Sequence, residues 1–352
     1  MASYIFYSQK LKNNAEKLSA AFHNKRLNFK IFYSTKTNIS LPVLEIINEQ
    51  YNFEIVSSNE WEKIKIFNPK EVVLNGPSKS YSLIKDIFEN NVERLYFNVD
   101  NDTDLDLLEE LGCSYANKLK VGIRVYLNKT GVWNRFGFDV DSDRFKEIIS
   151  KNKKVINGFH FHFSTNNFDI NNYCVILDKL NILIQQFSLN LEYVDIGGGL
   201  PGASETIYHD AVYEKLPKLI KSKTRNDILI ISEVGRNLVE DVFDLKASIV
   251  SLKKISLNTF DIAIDTNITH FPCFWEKKFG IEYLPINILD KTPIFINIFG
   301  NSCMQIDKIA DNFLIPQIPK IGDQILLIKL GAYSLSQATN FITPVPEITT
   351  YN

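Results

Sequence analysis

"KIFYSTKTNISLPVLEIINEQYNFEIVSS", residues 30–58, holds an apolar run, an amphipathic stretch and a second apolar run. Ile31, Phe32 and Tyr33 have the β-branched and aromatic character of a strand. "LPVLEIINEQY" spaces its apolar residues as one face of a helix. "FEIVSS" (53–58) starts a second strand. Strand, helix, strand is a βα unit, and it implies parallel strands. The pattern recurs outward from this stretch. Further apolar runs are "VVLNG" (72–76), "RLYFNV" (94–99), "VGIRVYL" (121–127), "INGFHFHF" (156–163), "LEYVDIGGG" (191–199) and "ILIISEVGR" (228–236). Amphipathic stretches such as "SYSLIKDIFENN", "TDLDLLEELG" and "DKLNILIQQF" lie between them. Eight units closing on themselves predict a (β/α)8 TIM barrel, a fold of about 250 residues.

After residue 240 the rhythm changes. "LKASIVSLKKIS", "FDIAIDTN", "PIFINIFG" and "DQILLIKLGAY" are strand-like, with few helical patterns between them. A mostly antiparallel β domain is therefore expected after the barrel. The expected organisation is an N-terminal strand and helix over residues 1–25, the barrel over 26–245 and the C-terminal β domain over 246–352.

Composition narrows the function classes. Of 352 residues, 45% are hydrophobic and 23% charged, as in a soluble globular protein. Lys+Arg 39 against Asp+Glu 41 leaves a net charge of −2, with no basic surplus for nucleic acid or an anionic membrane. No run of 18 apolar residues suggests a membrane span. The opening "MASYIFYSQKLKNN" lacks the order of a signal peptide. Cys113, Cys174, Cys273 and Cys303 are scattered without CxxC spacing, which points to a reducing compartment and no zinc knuckle. The expected setting is the cytoplasm.

Function in such a barrel sits on the loops after the strands. Lys36 follows the first strand. Ser57 ends the second, with Glu60 just beyond. Asn75 ends the third, Asn98 lies in the fourth and Arg124 in the fifth. His160 and His162 alternate in the sixth and share one side of the sheet. Gly197, Gly198 and Gly199 follow the seventh. Glu233, Gly235 and Arg236 follow the eighth. Taken singly, Lys36 is a surface charge where a strand meets water, and the glycine triplet is a tight turn. Together they are more. Three glycines let backbone N–H groups converge on an anion, and Arg236 adds charge-assisted bonds to a phosphate. A phosphate seat, a lysine, a carboxylate and a histidine on one rim suit pyridoxal 5′-phosphate. Lys36 would hold it as a Schiff base, Glu233 would keep the pyridine nitrogen protonated, and His162 would stack on the ring. The alternative, a metal held by His160 and His162, wants further ligands. His23, His209 and His270 follow no predicted barrel strand, so no metal is expected. Glu60 and Arg124 have a structural alternative, an ion pair at the rim.

These stretches resemble the fold-type III pyridoxal-phosphate decarboxylases, the group of the diaminopimelate, ornithine and arginine decarboxylases. "FYSTKTN" is similar to F-Y-A-V-K-A-N, "GFHFHFST" to G-L-H-F-H-I-G-S, and "VDIGGGLP" to L-D-I-G-G-G-F-P. "SEVGR" resembles E-P-G-R, and "RFGF" (135–138) resembles K-F-G. "GNSCMQID" resembles G-P-T-C-[DE]-x-x-D, and "GAYSLSQATNF" resembles G-A-Y-[ST]-x-x-x-x-x-x-F. The matches are collinear from about residue 3 to 345.

The resemblance implies Lys36 as the Schiff-base lysine, His162 as the stacking residue, and Gly197, Gly198, Gly199, Gly235, Arg236 and Tyr333 around the phosphate. It also implies Cys303 as a general acid, supplied across a homodimer interface. The implied reaction is loss of an amino acid's α-carboxylate through an external aldimine and a quinonoid. A racemase is the alternative enzyme, but racemases of that group place an arginine where Glu233 stands. A barrel that only binds the cofactor is the non-enzymatic alternative, and it leaves Cys303 and Tyr333 unexplained.

Three departures stand out. Val234 replaces a proline, and Ser164-Thr165 replaces Gly-Ser. Met304 replaces the acid that reads a distal amine. Family members also carry more residues before the lysine strand, which suggests a trimmed β domain. Met304, Asp307 and Asp265 are the candidate substrate contacts, the two aspartates being equally well turn residues. Loss of the acid suggests a larger or less charged substrate, such as a conjugated diamino acid of a secondary-metabolite or siderophore pathway.

Overall fold

Eight parallel strands close into a barrel, as the repeated βα unit predicts. In the computed structural model, which describes residues 1–112, 115, 117–129, 133–163, 168–272, 279–287 and 292–351, the chain starts with β1 (Ser3–Tyr7) and α1 (Ser8–His23). Then follow β2 (Asn28–Ser34), α2 (Leu41–Gln50), β3 (Asn52–Ile55), α3 (Ser58–Ile64), β4 (Glu71–Leu74) and α4 (Tyr81–Glu89). Next come β5 (Arg94–Val99), α5 (Asp102–Leu111), β6 (Leu119–Tyr126), β7 (Phe138–Asp139), α6 (Asp143–Asn152) and β8 (Ile156–Phe161). The barrel ends with α7 (Ile170–Phe187), β9 (Tyr193–Asp195), α8 (Leu216–Lys223), β10 (Leu229–Ser232) and α9 (Arg236–Val239). The sheet runs β5-β4-β3-β2-β10-β9-β8-β6, and β5 pairs with β6 to close it. The two-residue β7 hangs on β6.

Helix starts follow local chemistry. Ser57, Ser80, Asn101, Ser142 and Asp169 each accept a backbone N–H at the head of the next helix. Such caps contribute about 1 kcal/mol apiece. Inside the barrel, Phe32, Val73, Tyr96, Tyr193, Leu229 and Ile231 form a buried cluster. The Tyr193 ring fits there because β6 and β8 offer Gly122 and Gly158. A Cβ on Gly122 would lie 2.3 Å from the Tyr193 hydroxyl, and one on Gly158 would lie 2.5 Å from its ring.

The second unit comprises β11 (Phe243–Lys254), β12 (Thr259–Ile264), β13 (Gly280–Leu284), β14 (Ile294–Phe299), β15 (Lys308–Ile315), β16 (Gln324–Ile328), α10 (Ser334–Gln337) and β17 (Glu347–Tyr351). Its strand order is β13-β16-β11-β12-β14-β15, with β1 joined to β11 and β17. The pairings are antiparallel except β12–β14 and β1–β17.

The compact units divide the chain at other positions than the expected boundaries. Residues Met1–Leu11 belong with Val239–Asn352, and the barrel unit is Lys12–Leu238. Tyr4 and Phe6 alternate as buried residues on β1, and their strand partners are β11 and β17, not the barrel. Among the described residues, no helix is long and apolar enough to cross a membrane.

Candidate active site

Lys36 lies in a short turn, Thr35–Thr37, directly after β2. Its Nζ stands 2.8 Å from Glu54 Oε2 on β3. The Lys36 side chain is 42% exposed and that of Glu54 1%, so a half-open ammonium is held over a closed carboxylate. Ser34 Oγ donates to the same Glu54 oxygen at 2.7 Å, and Thr35 Oγ1 donates to the Glu54 carbonyl at 2.8 Å. The sequence reading passed over Glu54. A signal was present, since an acid inside the apolar run of a buried strand needs a partner.

Glu233 follows β10 and faces the same interior. His160 Nε2 lies 3.4 Å from Glu233 Oε2, and Asn75 Nδ2 donates to Glu233 Oε1. Burial by itself would raise the Glu233 carboxyl. His160, a hydrogen bond from Asp195 and the Lys36 charge outweigh it and hold Glu233 below the usual carboxylate range. Asp195 is pushed the other way, by burial and by the negative charge of Glu233. The two shifts are opposed, so within the pair the proton is favoured on Asp195 and the charge on Glu233. His162 is held neutral, its pKa pushed down to about 3 by burial and the Arg124 charge. Its Nδ1 accepts the Gly198 N–H at 3.1 Å, which leaves the ring proton on Nε2. The Trp133 indole packs beside it, ring centroids 5.6 Å apart.

The glycine loop ties these parts together. Gly197 N donates to Asp195 Oδ1 at 2.9 Å, and the Gly197 carbonyl accepts from Glu233 N at 2.8 Å and Ser232 Oγ at 3.0 Å. A Cβ on Gly198 would lie 2.3 Å from the Glu233 carbonyl oxygen, and one on Gly235 would lie 2.0 Å from Thr37 Oγ1. Gly199 holds φ +79°. Arg236, buried, opens α9, and Asn237 braces the loop by donating to the Pro201 carbonyl at 2.6 Å.

Glu60 and Arg124 do not pair with each other. Glu60 completes the start of α3 by accepting the Val56 N–H, and its pKa is pushed up to about 7 by burial and Glu54, against the opposing pull of Lys36 and that N–H. Arg124 lies 3.7 Å from Asp100 and stacks over Phe136 at 4.9 Å.

In the β unit, Cys303 is exposed on a tight turn. Asp307 is buried beneath that turn. It accepts from Ile268 N at 3.0 Å, Ser302 N at 2.9 Å and Ser302 Oγ at 2.5 Å, while its own N–H donates to the Met304 carbonyl at 3.1 Å. Both of its oxygens are engaged by these backbone and Ser302 donors, the geometry of the turn role expected for Asp307. Asp265 likewise accepts the Ser248 N–H at 2.7 Å and lies 3.5 Å from the terminal amine of Met1. Tyr333 is half-buried in the left-handed region, φ 67°, ahead of α10. Cys113, Cys273 and Ser164-Thr165 lie outside the described residues.

A family model described as pyridoxal-dependent decarboxylase, pyridoxal binding domain, matches residues 9–240. The chain belongs to the pyridoxal-dependent decarboxylases. It is 26% identical to the diaminopimelate decarboxylase of Campylobacter jejuni, over 97% of this chain and 88% of that protein. It is 22% identical to a Staphylococcus aureus 2-[(L-alanin-3-ylcarbamoyl)methyl]-2-hydroxybutanedioate decarboxylase, over 98% and 92%. The crystal structure of diaminopimelate decarboxylase from M. jannaschi superposes with a TM-score of 0.85 at 21% identity, covering 99% of this chain and 86% of that one.

The decarboxylase is a carboxy-lyase, and its cofactor is pyridoxal phosphate. The residues fit that group. An amine, a carboxylate kept charged and a backbone cradle that any Cβ would fill all lie in one barrel. His160, Asp195 and Glu233 place ligand atoms within 4.8 Å of one another, close enough for a metal. Of the three, His160 Nε2 comes within 3.4 Å of Glu233, yet neither ring nitrogen of His160 has a hydrogen-bond partner among the described residues.

Proposed function

We propose that this decarboxylase removes the α-carboxylate of an amino-acid conjugate whose distal end carries no free ammonium group. The bound cofactor supplies an electron sink for the pair left when CO2 departs. Lys36 would hold the cofactor covalently and then serve as an amine near the substrate's α-carbon. Glu233, kept charged by His160 and Asp195, would hold a proton on the ring nitrogen. The neutral face of His162 would lie against the ring, and the Gly197–Gly199 loop with Arg236 would bind the phosphate. Cys303 would deliver the proton that replaces the carboxylate. Glu233 disfavours the racemase reading, because a charged carboxylate deepens the sink that racemases weaken.

The substrate class rests on Met304. A thioether stands where the family places an acid for a distal amine, and the nearby Asp307 is consumed by the loop. The S. aureus relative supports the reading, since its name describes an L-alanine unit joined through an amide to a hydroxybutanedioate. The test is to incubate purified holoenzyme with candidate amino acids and conjugates, measuring CO2 and product mass. Free ornithine, lysine and diaminopimelate should show kcat/KM at least about 10²-fold below that of the true substrate. Turnover of any of them at about 10⁴ M⁻¹s⁻¹ or faster would overturn the assignment.

A further inference from the structure

Two asparagines stand among the charged groups of the barrel interior, at the ends of neighbouring strands. Asn75, 3% exposed, directly follows β4, and Asn98, 1% exposed, lies on β5. Asn75 Nδ2 carries two hydrogens, and both are used. One goes to Glu54 Oε1 at 3.1 Å and the other to Glu233 Oε1. Asn75 Oδ1 accepts from Asn98 Nδ2 at 3.0 Å. Asn98 Nδ2 also reaches Asp195 Oδ2 at 3.2 Å, and Asn98 Oδ1 accepts the Tyr193 hydroxyl at 2.9 Å. A carboxyl oxygen of Asp195 lies within 4.8 Å of one of Glu233. Glu233, Asn75, Asn98 and Asp195 therefore form one hydrogen-bonded chain, and Glu54 with Lys36 hangs from Asn75.

The orientation of the Asn75 amide has one solution. Turning it over would aim Oδ1 at two carboxylate oxygens and set its NH2 against the NH2 of Asn98. No other side chain of this length donates two hydrogens from one atom while accepting on another. Alanine would leave two buried carboxylate oxygens facing each other without their donor, and aspartate would add a third acid.

We infer that Asn75 is a positioning residue of the decarboxylase: its amide clamps Glu54 and Glu233 together, and so sets the lysine and the ring-nitrogen carboxylate in one fixed relation. The inference rests on the roles proposed above for Lys36 and Glu233. Asn75 itself touches neither cofactor nor substrate in this scheme. It acts through the two carboxylates.

The experiment compares holoenzymes of Asn75→Asp, Asn75→Ala, Glu233→Gln and the Asn75→Ala/Glu233→Gln pair, each checked for fold by circular dichroism. Asn75→Asp keeps the size of the side chain and removes the donor. It should still carry borohydride-fixed cofactor on Lys36, bind cofactor more weakly and show a shifted visible absorption band. Its kcat should fall about 10- to 100-fold, as for loss of a charge-assisted hydrogen bond, with KM nearly unchanged. Adding Asn75→Ala to Glu233→Gln should cost clearly less than Asn75→Ala costs in the wild type, because the Glu233 half of the clamp is already broken and only the Glu54 half remains to lose. Wild-type cofactor affinity and absorption in Asn75→Asp, or single-variant losses that multiply in the pair, would overturn the inference. Failure of the underlying reading is seen separately, as normal turnover in Glu233→Gln alone.

Discussion

At the scale of single residues, charge placement is the working principle of the barrel. Glu233 stays ionised because His160, Asp195 and Lys36 together outweigh burial. Glu233→Gln should keep the cofactor and lose rate by a factor of about 10²–10⁴, the range for one preorganised electrostatic partner. Steady-state kinetics on the cofactor-loaded variant check this. Lys36 has a direct chemical test. After borohydride reduction, peptide mapping should find the cofactor on Lys36, and label on any other lysine would displace it from the proposed role. Glu60 carries a pH consequence. Its folded pKa, about 7, lies above the ordinary 4.5, so the folded state holds that proton longer than the unfolded chain does. Stability should fall as pH rises from about 4.5 to about 7 and then level off, by at most about 3 kcal/mol from this group. Glu60→Gln should flatten that part of the curve in denaturant titrations, because its amide oxygen can still accept the Val56 N–H.

At the scale of elements, the site is built where loops approach backbone to backbone. The Gly197–Gly199 loop meets Glu233, and the Lys36 turn meets Gly235. Gly198→Ala would force its Cβ against the Glu233 carbonyl, 2.3 Å away. The loop should shift and cofactor affinity should fall at least about 10-fold, consistent with overpacking strain of about 1–3 kcal/mol. Equilibrium dialysis against pyridoxal phosphate measures it. Elements also explain which strands escaped the sequence reading. β15 and β17 bury few of their residues, so their apolar periodicity is weak. β13 is likewise half-exposed along its length. The capped helices and the buried barrel strands are legible because each carries its own signal, a cap residue or an unbroken apolar run.

At the scale of the whole molecule, the chain forms a barrel unit and a β unit that recruits the first eleven residues. We propose, from the family resemblance, that the Cys303 turn completes the site of a partner subunit. A homodimer with shared sites makes a definite prediction. Mixing inactive Lys36→Ala and Cys303→Ala proteins should restore up to about a quarter of wild-type activity if subunits exchange at random. Heterodimers that form by tag pull-down and stay inactive would rule the arrangement out.

The sequence by itself determined the barrel, the second domain and the rim residues at strand ends. Those features are written in neighbouring residues, through periods of two and 3.6 and through glycine at turns. It also carried Lys36, His162, Glu233 and the glycine loop by position along the βα repeat. Only the tertiary structure decided how they pair. Asn75 and Glu233 are 158 residues apart, and barrel closure alone brings their side chains together with Glu54. The same holds for β1, whose partners lie at the far end of the chain. It holds for Asp307 as well, whose carboxylate accepts from Ile268, 39 residues away along the chain, and from Ser302. Buried polar groups must find partners wherever the fold supplies them, and local sequence does not name those partners.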